Sequence, residues 1–91
     1  MKEFLILTQS GSWYLLTAEK NNIQAEKIQG GGVQLKGRVK GFGNAPADIL
    51  SHMNNLNENN ILEFMQKGKS IYIGDNFGHT SEIFKIYLKI A

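Results

Sequence analysis

The chain has 91 residues, 42% hydrophobic and 20% charged, a composition that excludes a disordered segment and a length that leaves no room for a second core. Its 10 Lys and Arg residues against 8 Asp and Glu give a formal net charge of +2, well short of a polybasic chain. The absence of cysteine excludes disulfides, thiolate nucleophiles and cysteine-based zinc sites, and we expect one cytoplasmic domain spanning residues 1–91.

The first two predicted elements form a β-hairpin. Residues 2–9 carry apolar side chains on both faces, so we expect a central strand that is covered on two sides, by a closing barrel or by a second subunit. The continuous apolar run, residues 4–7, is too short for a signal peptide or a membrane span. After a turn, residues 13–18 form the second strand, with one of the aromatics Trp13 and Tyr14 in the core and the other covering a sheet edge.

Residues 21–29 can be interpreted either as a helix or as a strand. Asn21 and Gln24 resemble a helical capping box, and Gly30 is well placed to end a helix. The spacing of the apolar residues in this segment fits a strand no better. The three glycines at 30–32 are followed by neither Lys-Ser nor Lys-Thr, so we expect a hairpin connection there rather than a phosphate-binding loop.

The predicted strand over residues 33–42 is the most informative segment. At the two-residue period of a strand, one face carries three cations and an aromatic ring, namely Lys36, Arg38, Lys40 and Phe42. The other face carries small and aliphatic residues, namely Val33, Leu35, Gly37, Val39 and Gly41. Glycines at such positions are typical of a strongly coiled strand in a small barrel.

Two short helices are predicted between the third and fourth main strands. The sequence Asn-Ala-Pro at residues 44–46 is a typical helix start. An apolar stripe follows at helical spacing, formed by Ile49, Leu50, Met53 and Leu56. The asparagine-rich stretch 54–60 ends this helix, and Asn60 begins a second one that stops at Gly68.

The chain ends in two further predicted strands, residues 70–73 and residues 82–90. The last strand alternates cleanly, with Phe84, Ile86, Leu88 and Ile90 on one face. Its other face carries Lys85, Tyr87 and Lys89. The element order predicts an α+β fold with a mainly antiparallel sheet of about five strands. Two architectures fit it, a small OB-like barrel and an open sheet with both helices on one face.

No pattern in the sequence indicates catalysis, a cofactor or a metal site. His52 and His79 lack the spacing to other ligands that a zinc site requires. The serines lie outside any nucleophile-elbow context, and no pair of carboxylates has a spacing that predicts a shared site. We therefore expect a small, non-catalytic binding module with no cofactor and no membrane partner.

Two kinds of partner are compatible with the basic strand faces. If the strands over 33–42 and 82–90 are neighbours, single-stranded nucleic acid or another anionic partner would meet seven side chains. The phosphates would be neutralised by five cations, namely Lys36, Arg38, Lys40, Lys85 and Lys89. The bases would stack on two aromatic rings, Phe42 and Tyr87. Alternatively these lysines only solvate or protect strand edges. The alternative function is a small protein-binding regulator or inhibitor, encoded by a bacterium or a phage, that uses exposed sheet edges or the helical segment to occupy another protein's site. Homodimerisation would cover leftover apolar surface.

Overall fold

The computed structural model describes residues 1–89, in which six strands and two short helices occur. The strands are Lys2–Thr8 (β1), Trp13–Glu19 (β2), Asn22–Gln29 (β3), Lys36–Gly43 (β4), Ser70–Ile73 (β5) and Gly78–Lys89 (β6). The helices Pro46–Leu50 (α1) and Ile61–Phe64 (α2) follow β4. Ile90, predicted on the same face of the last strand as Phe84, Ile86 and Leu88, lies outside the described residues.

The six strands close into an antiparallel barrel in which each strand pairs with its neighbour in the chain and β6 returns to β1. The predicted small barrel is confirmed, and the alternative of an open sheet is wrong. The strand order is that of an up-and-down meander, whereas an OB fold is a five-stranded Greek key. The structure is mostly β, with six strands instead of about five.

The sixth strand is the ambiguous segment. Residues 22–29 form β3, which pairs with β2 from Glu19 opposite Asn22 to Trp13 opposite Gln29. The helices therefore follow the fourth strand and not the third. The sequence did not show the alternation of apolar and polar residues expected of a strand, because the third inward-facing residue of β3 is a lysine. This residue, Lys27, is only 9% exposed.

Two strands of the barrel bend and take part in two sheets. The first half of β4 pairs with β3 and its second half pairs with β5. The first half of β6 pairs with β5, and its second half, from Ile83 onward, pairs with β1. The larger sheet, which we call the five-strand sheet, thus has the order β4-β3-β2-β1-β6, with β4 and β6 at its two edges.

The core fills the barrel interior. The strands contribute large buried side chains, among them Phe4, Ile6, Leu16, Ile23, Phe42, Ile71 and Ile83. The helical segment packs Leu56, Ile61 and Met65 into the same cluster. Because α1 has only five residues, the predicted apolar stripe is interrupted, and Leu50 is 68% exposed. Within residues 1–89, no helix is long and apolar enough to cross a membrane.

Candidate functional site

The cations predicted on β4 are all on the outside of the barrel, and each has a partner. The ammonium of Lys36 is 3.8 Å from the carboxylate of Glu26 on β3. The ammonium of Lys40 is 3.1 Å from the carboxylate of Asp75. Arg38 donates through Nη2 to a backbone carbonyl oxygen of the β2–β3 turn at 3.2 Å. The two lysines are therefore part of exposed ion pairs, which contribute little to stability and partly neutralise the surface.

Phe42 is not on that outer face, and its prediction as a base-stacking ring there is wrong. Its side chain is 1% exposed and belongs to the core. The register between β4 and β5 shifts between Val39 and Gly41, so Lys40 is an extra residue in a β-bulge. One extra residue reverses the alternation, and both Val39 and Phe42 point into the barrel.

Lys85, Tyr87 and Lys89 share the outer face of β6, as predicted. In the register with β1, these three residues lie opposite alternate residues of that strand. Lys89 is 3.8 Å from the carboxylate of Glu3, its partner in the register. The ring of Tyr87 is 44% exposed.

The predicted residues of β4 and β6 do not form one surface. These strands are the opposite edges of the five-strand sheet, with β1, β2 and β3 between them. On the other side of the closed barrel β5 lies between them, and it pairs with the second half of β4 and the first half of β6, so the two groups of predicted residues are not on neighbouring strands on either side. The expected contact surface of seven side chains is therefore divided into two edge groups, and Phe42 belongs to neither.

Between these edges, the outer face of the sheet is apolar. Five side chains of β1, β2 and β6 form what we call the outer apolar cluster, namely Leu5, Leu7, Trp13, Leu15 and Tyr87. Leu7 lies opposite Trp13, and Leu5 lies opposite both Leu15 and Tyr87. All five side chains are at least partly exposed to solvent.

Two aromatic rings dominate this cluster. Trp13 on β2 and Tyr87 on β6 reach over β1 and stack, with ring centroids 5.9 Å apart. The neighbouring Tyr14 points inward and is buried, which confirms that one aromatic of the pair is in the core. Trp13 lies within the sheet and not at an edge, because β2 is flanked by β1 and β3.

Charged residues of both signs surround the outer apolar cluster. They are Glu3, Glu26, Lys36, Lys85 and Lys89. An apolar centre with aromatic rings and a polar, solvent-accessible rim is the usual anatomy of a protein–protein interface. The same arrangement is poorly suited to a phosphate chain, which would need an unbroken basic track.

The sequence signalled this cluster through the two apolar faces of its first strands, which predicted that residues 2–9 would be covered on both sides. Residues 4–7 and 13–16 are apolar at every position, so both faces of β1 and β2 are apolar. A barrel buries only the inner face of each strand, since the outer face meets solvent or a partner. Closure of the barrel therefore leaves the outer halves of these two strands uncovered.

Near α1, Asp48, Ser51 and His52 resemble a catalytic set in composition but not in geometry. The backbone N–H of Phe42 donates to His52 Nε2 at 3.2 Å, so this nitrogen carries no proton. The proton is on Nδ1, which lies 3.2 Å from Ser51 Oγ and cannot take a proton from it. The Asp48 carboxylate accepts from two backbone amides at the helix start. Burial lowers the pKa of His52, which favours the neutral ring.

In comparisons with protein-family models, curated proteins and solved structures, nothing matches this chain. Within residues 1–89, no three His, Asp or Glu side chains are grouped closely enough to hold a metal ion.

Proposed function

We propose that this protein is a non-catalytic binding module that recognises another protein chain through the outer face of its five-strand sheet. The observation that carries the proposal is the outer apolar cluster, with Trp13 and Tyr87 stacked at 5.9 Å on the solvent side of the barrel. Trp and Tyr are enriched among the residues that dominate binding energy at protein interfaces. Contiguous apolar surface with a polar rim is typical of such sites.

The mode of action follows from the size of the molecule. A chain of 91 residues that covers an apolar surface on its partner would exclude other molecules from that surface. We therefore infer that the protein is a small regulator or inhibitor that acts by occupying its partner's site. A second copy of the chain is one partner of this kind, since an isologous dimer would cover the same face on both subunits.

The test compares two double variants. Trp13→Ala with Tyr87→Ala removes the aromatic centre of the cluster, whereas Arg38→Ala with Lys40→Ala changes two cations outside it. We expect the wild type and the second variant to form a stoichiometric complex with the same partner, and the first variant to form none. Sedimentation over a range of concentrations determines whether that partner is a second copy. Background-level capture together with a monomer at every concentration would contradict the proposal.

A second candidate function is binding of single-stranded nucleic acid or another anion along β4. It is favoured by a depression of about 210 Å³ beside this strand, lined by Arg38, Lys40, Asn21 and Asn54 among others. Guanidinium, ammonium and amide groups are donors that suit phosphate oxygens. In this case, oligonucleotide binding would weaken steeply with salt, and Arg38→Ala with Lys40→Ala would reduce the salt slope by about two. No binding to any oligonucleotide at low salt would exclude this candidate.

A further inference from the structure

One end of the barrel contains a depression of about 430 Å³, separate from the outer sheet face. It lies between the β1–β2 turn, the glycine loop at residues 30–32 and the start of β6. Its polar lining consists of hydroxyl groups, an imidazole and an ammonium, from Ser10, Ser12, Tyr14, Lys27, His79, Thr80 and Ser81. None of the residues that line it in the described chain is acidic.

The ammonium in this depression is buried without a counter-ion. Lys27 ends the inward-facing row of β3 and is 9% exposed. Its Nζ donates to the carbonyl oxygens of Gly31 at 2.7 Å and Val33 at 2.8 Å, and it lies 5.8 Å from the centroid of the Tyr14 ring. Among residues 1–89, no carboxylate lies within 4.0 Å of this nitrogen.

Neutral carbonyl oxygens satisfy two of the three N–H groups of Lys27 but leave its charge uncompensated. Burial of a charge is unfavourable unless an opposite charge or a set of strong hydrogen bonds compensates for it. An anion supplied from solution would take the remaining N–H group and neutralise the charge. The glycine loop, which Lys27 ties down through Gly31, forms one wall of the same space.

The hydroxyl groups beside Lys27 supply further donors. Ser81 Oγ donates to Ser10 Oγ at 3.0 Å, and Ser10 Oγ lies 3.5 Å from Ser12 Oγ. Hydroxyl hydrogens rotate freely, so these groups can turn from one another towards a bound anion. His79 Nδ1 lies 3.0 Å from the carbonyl oxygen of Thr80, which only accepts, so Nδ1 carries the ring proton. With the proton on Nδ1, Nε2 is an acceptor, so the donors available to an anion here are the ammonium and the hydroxyls.

We propose that this end of the barrel binds a small molecule through an oxyanion, a carboxylate or a phosphate group. Lys27 supplies the charge, and the hydroxyls of Ser10, Ser12 and Ser81 supply hydrogen bonds. The volume lies within the range of about 300–1,000 Å³ that small-molecule sites occupy, and barrel mouths are a common place for them. The site does not depend on the protein-binding function proposed above.

The first experiment is an NMR titration of the ¹⁵N-labelled wild-type protein with sodium phosphate and, separately, sodium acetate, with sodium chloride at matched ionic strength as the reference. We expect saturating shifts at the amides of residues 10–12, 27–32 and 79–81. Saturation by phosphate or by acetate identifies which oxyanion the site takes. Shifts that match those in chloride, or that increase linearly over the whole surface, would overturn the proposal. The role of Lys27 would then be limited to its hydrogen bonds with the glycine loop.

The second experiment uses variants. Lys27→Met keeps the length and apolar stem of the side chain and removes the charge, and we expect it to weaken anion binding about 10- to 100-fold. Lys36→Met is the matched control, because it removes an exposed lysine on the outer sheet face. Ser81→Ala leaves the lysine in place and should weaken binding about five-fold, even if Lys27→Met fails to fold. Wild-type affinity in a folded Lys27→Met or in Ser81→Ala would overturn the assignment.

Discussion

The indole ring of Trp13 stacks on the phenol ring of Tyr87 across the full width of β1, with centroids 5.9 Å apart and ring planes inclined by 30°. The two residues lie on strands that are not hydrogen-bonded to each other, β2 and β6. The contact therefore connects three strands of the barrel on its solvent side. It makes the outer face a preformed surface, since its two largest side chains already hold each other in place.

This contact is measurable as a coupling free energy. We expect Trp13→Ala and Tyr87→Ala to be non-additive in urea unfolding, with a coupling of about 0.5–1.5 kcal/mol, the usual contribution of an aromatic pair. Leu62→Ala, an exposed residue of α2, is the control partner for Trp13→Ala and should give additive effects. If the losses of unfolding free energy from Trp13→Ala and Tyr87→Ala simply add in the double variant, the two rings do not stabilise each other in solution.

Phe42 and Lys36 were predicted on one face of a strand, and the structure separates them. Phe42→Ala should reduce the free energy of unfolding by about 3–5 kcal/mol, because it opens a cavity in the core. Lys36→Ala should change it by less than about 0.5 kcal/mol, as is usual for an exposed side chain. Denaturant unfolding of both variants gives the comparison. Equal, small effects would place Phe42 outside the core.

The glycines of this chain should differ sharply in their tolerance of alanine. A Cβ at Gly41 would lie 2.7 Å from both His52 Nε2 and Ile49 Cγ2, which are buried groups. We expect Gly41→Ala to destabilise the fold by about 1–3 kcal/mol through overpacking. A Cβ at Gly31 meets nothing within 4 Å, so Gly31→Ala should change stability by less than about 1 kcal/mol. Thermal unfolding of the two variants tests the contrast, which similar melting temperatures would contradict.

His52 should make the stability of the fold depend on pH. Burial lowers its pKa from the usual 6.5, the charge of Lys69 lowers it further, and Asp48 opposes the shift. Below pH 6.5 the unfolded chain therefore binds a proton that the folded protein does not, so stability is lost as the pH falls from this value towards the folded-state pKa.

The measurement is urea unfolding of the wild type and of His52→Gln at about pH 7.5 and about pH 5.5, on either side of the usual histidine pKa. Glutamine retains a carbonyl acceptor for the N–H of Phe42 but does not titrate. We expect a smaller loss of stability at the lower pH in the variant. The same loss in both proteins would mean that the ring of His52 is protonated in the folded state.

Most strands were predictable because their signals are local. The bounds of β5, Ser70–Ile73, match the sequence prediction, and β1 and β2 differ from theirs by one residue. Turn residues and apolar alternation fix such segments without reference to the rest of the chain. The apolar pattern did not identify β3 as a strand, because a lysine occupies one of its inward-facing positions.

The candidate site was less predictable, because it depends on register and closure. The extra residue at Lys40 reverses the facing of Phe42, and a bulge of this kind arises from the bend of β4 between two sheets. The separation of Arg38 from Lys89 depends on which strands are neighbours, which the sequence leaves open. The trio at Lys85, Tyr87 and Lys89 was predictable, because β6 stays regular from Lys85 onward.

Closure of the meander has a consequence for how the barrel forms. Every other pairing joins strands that follow one another in the chain, whereas the seam between β1 and β6 places Glu3 opposite Lys89. Loop-closure entropy makes so distant a pairing slow to form until the intervening hairpins have shortened the path. We expect the seam to form last, and pulsed hydrogen exchange during refolding should protect the amides of β2 and β3 before those that join β1 to β6.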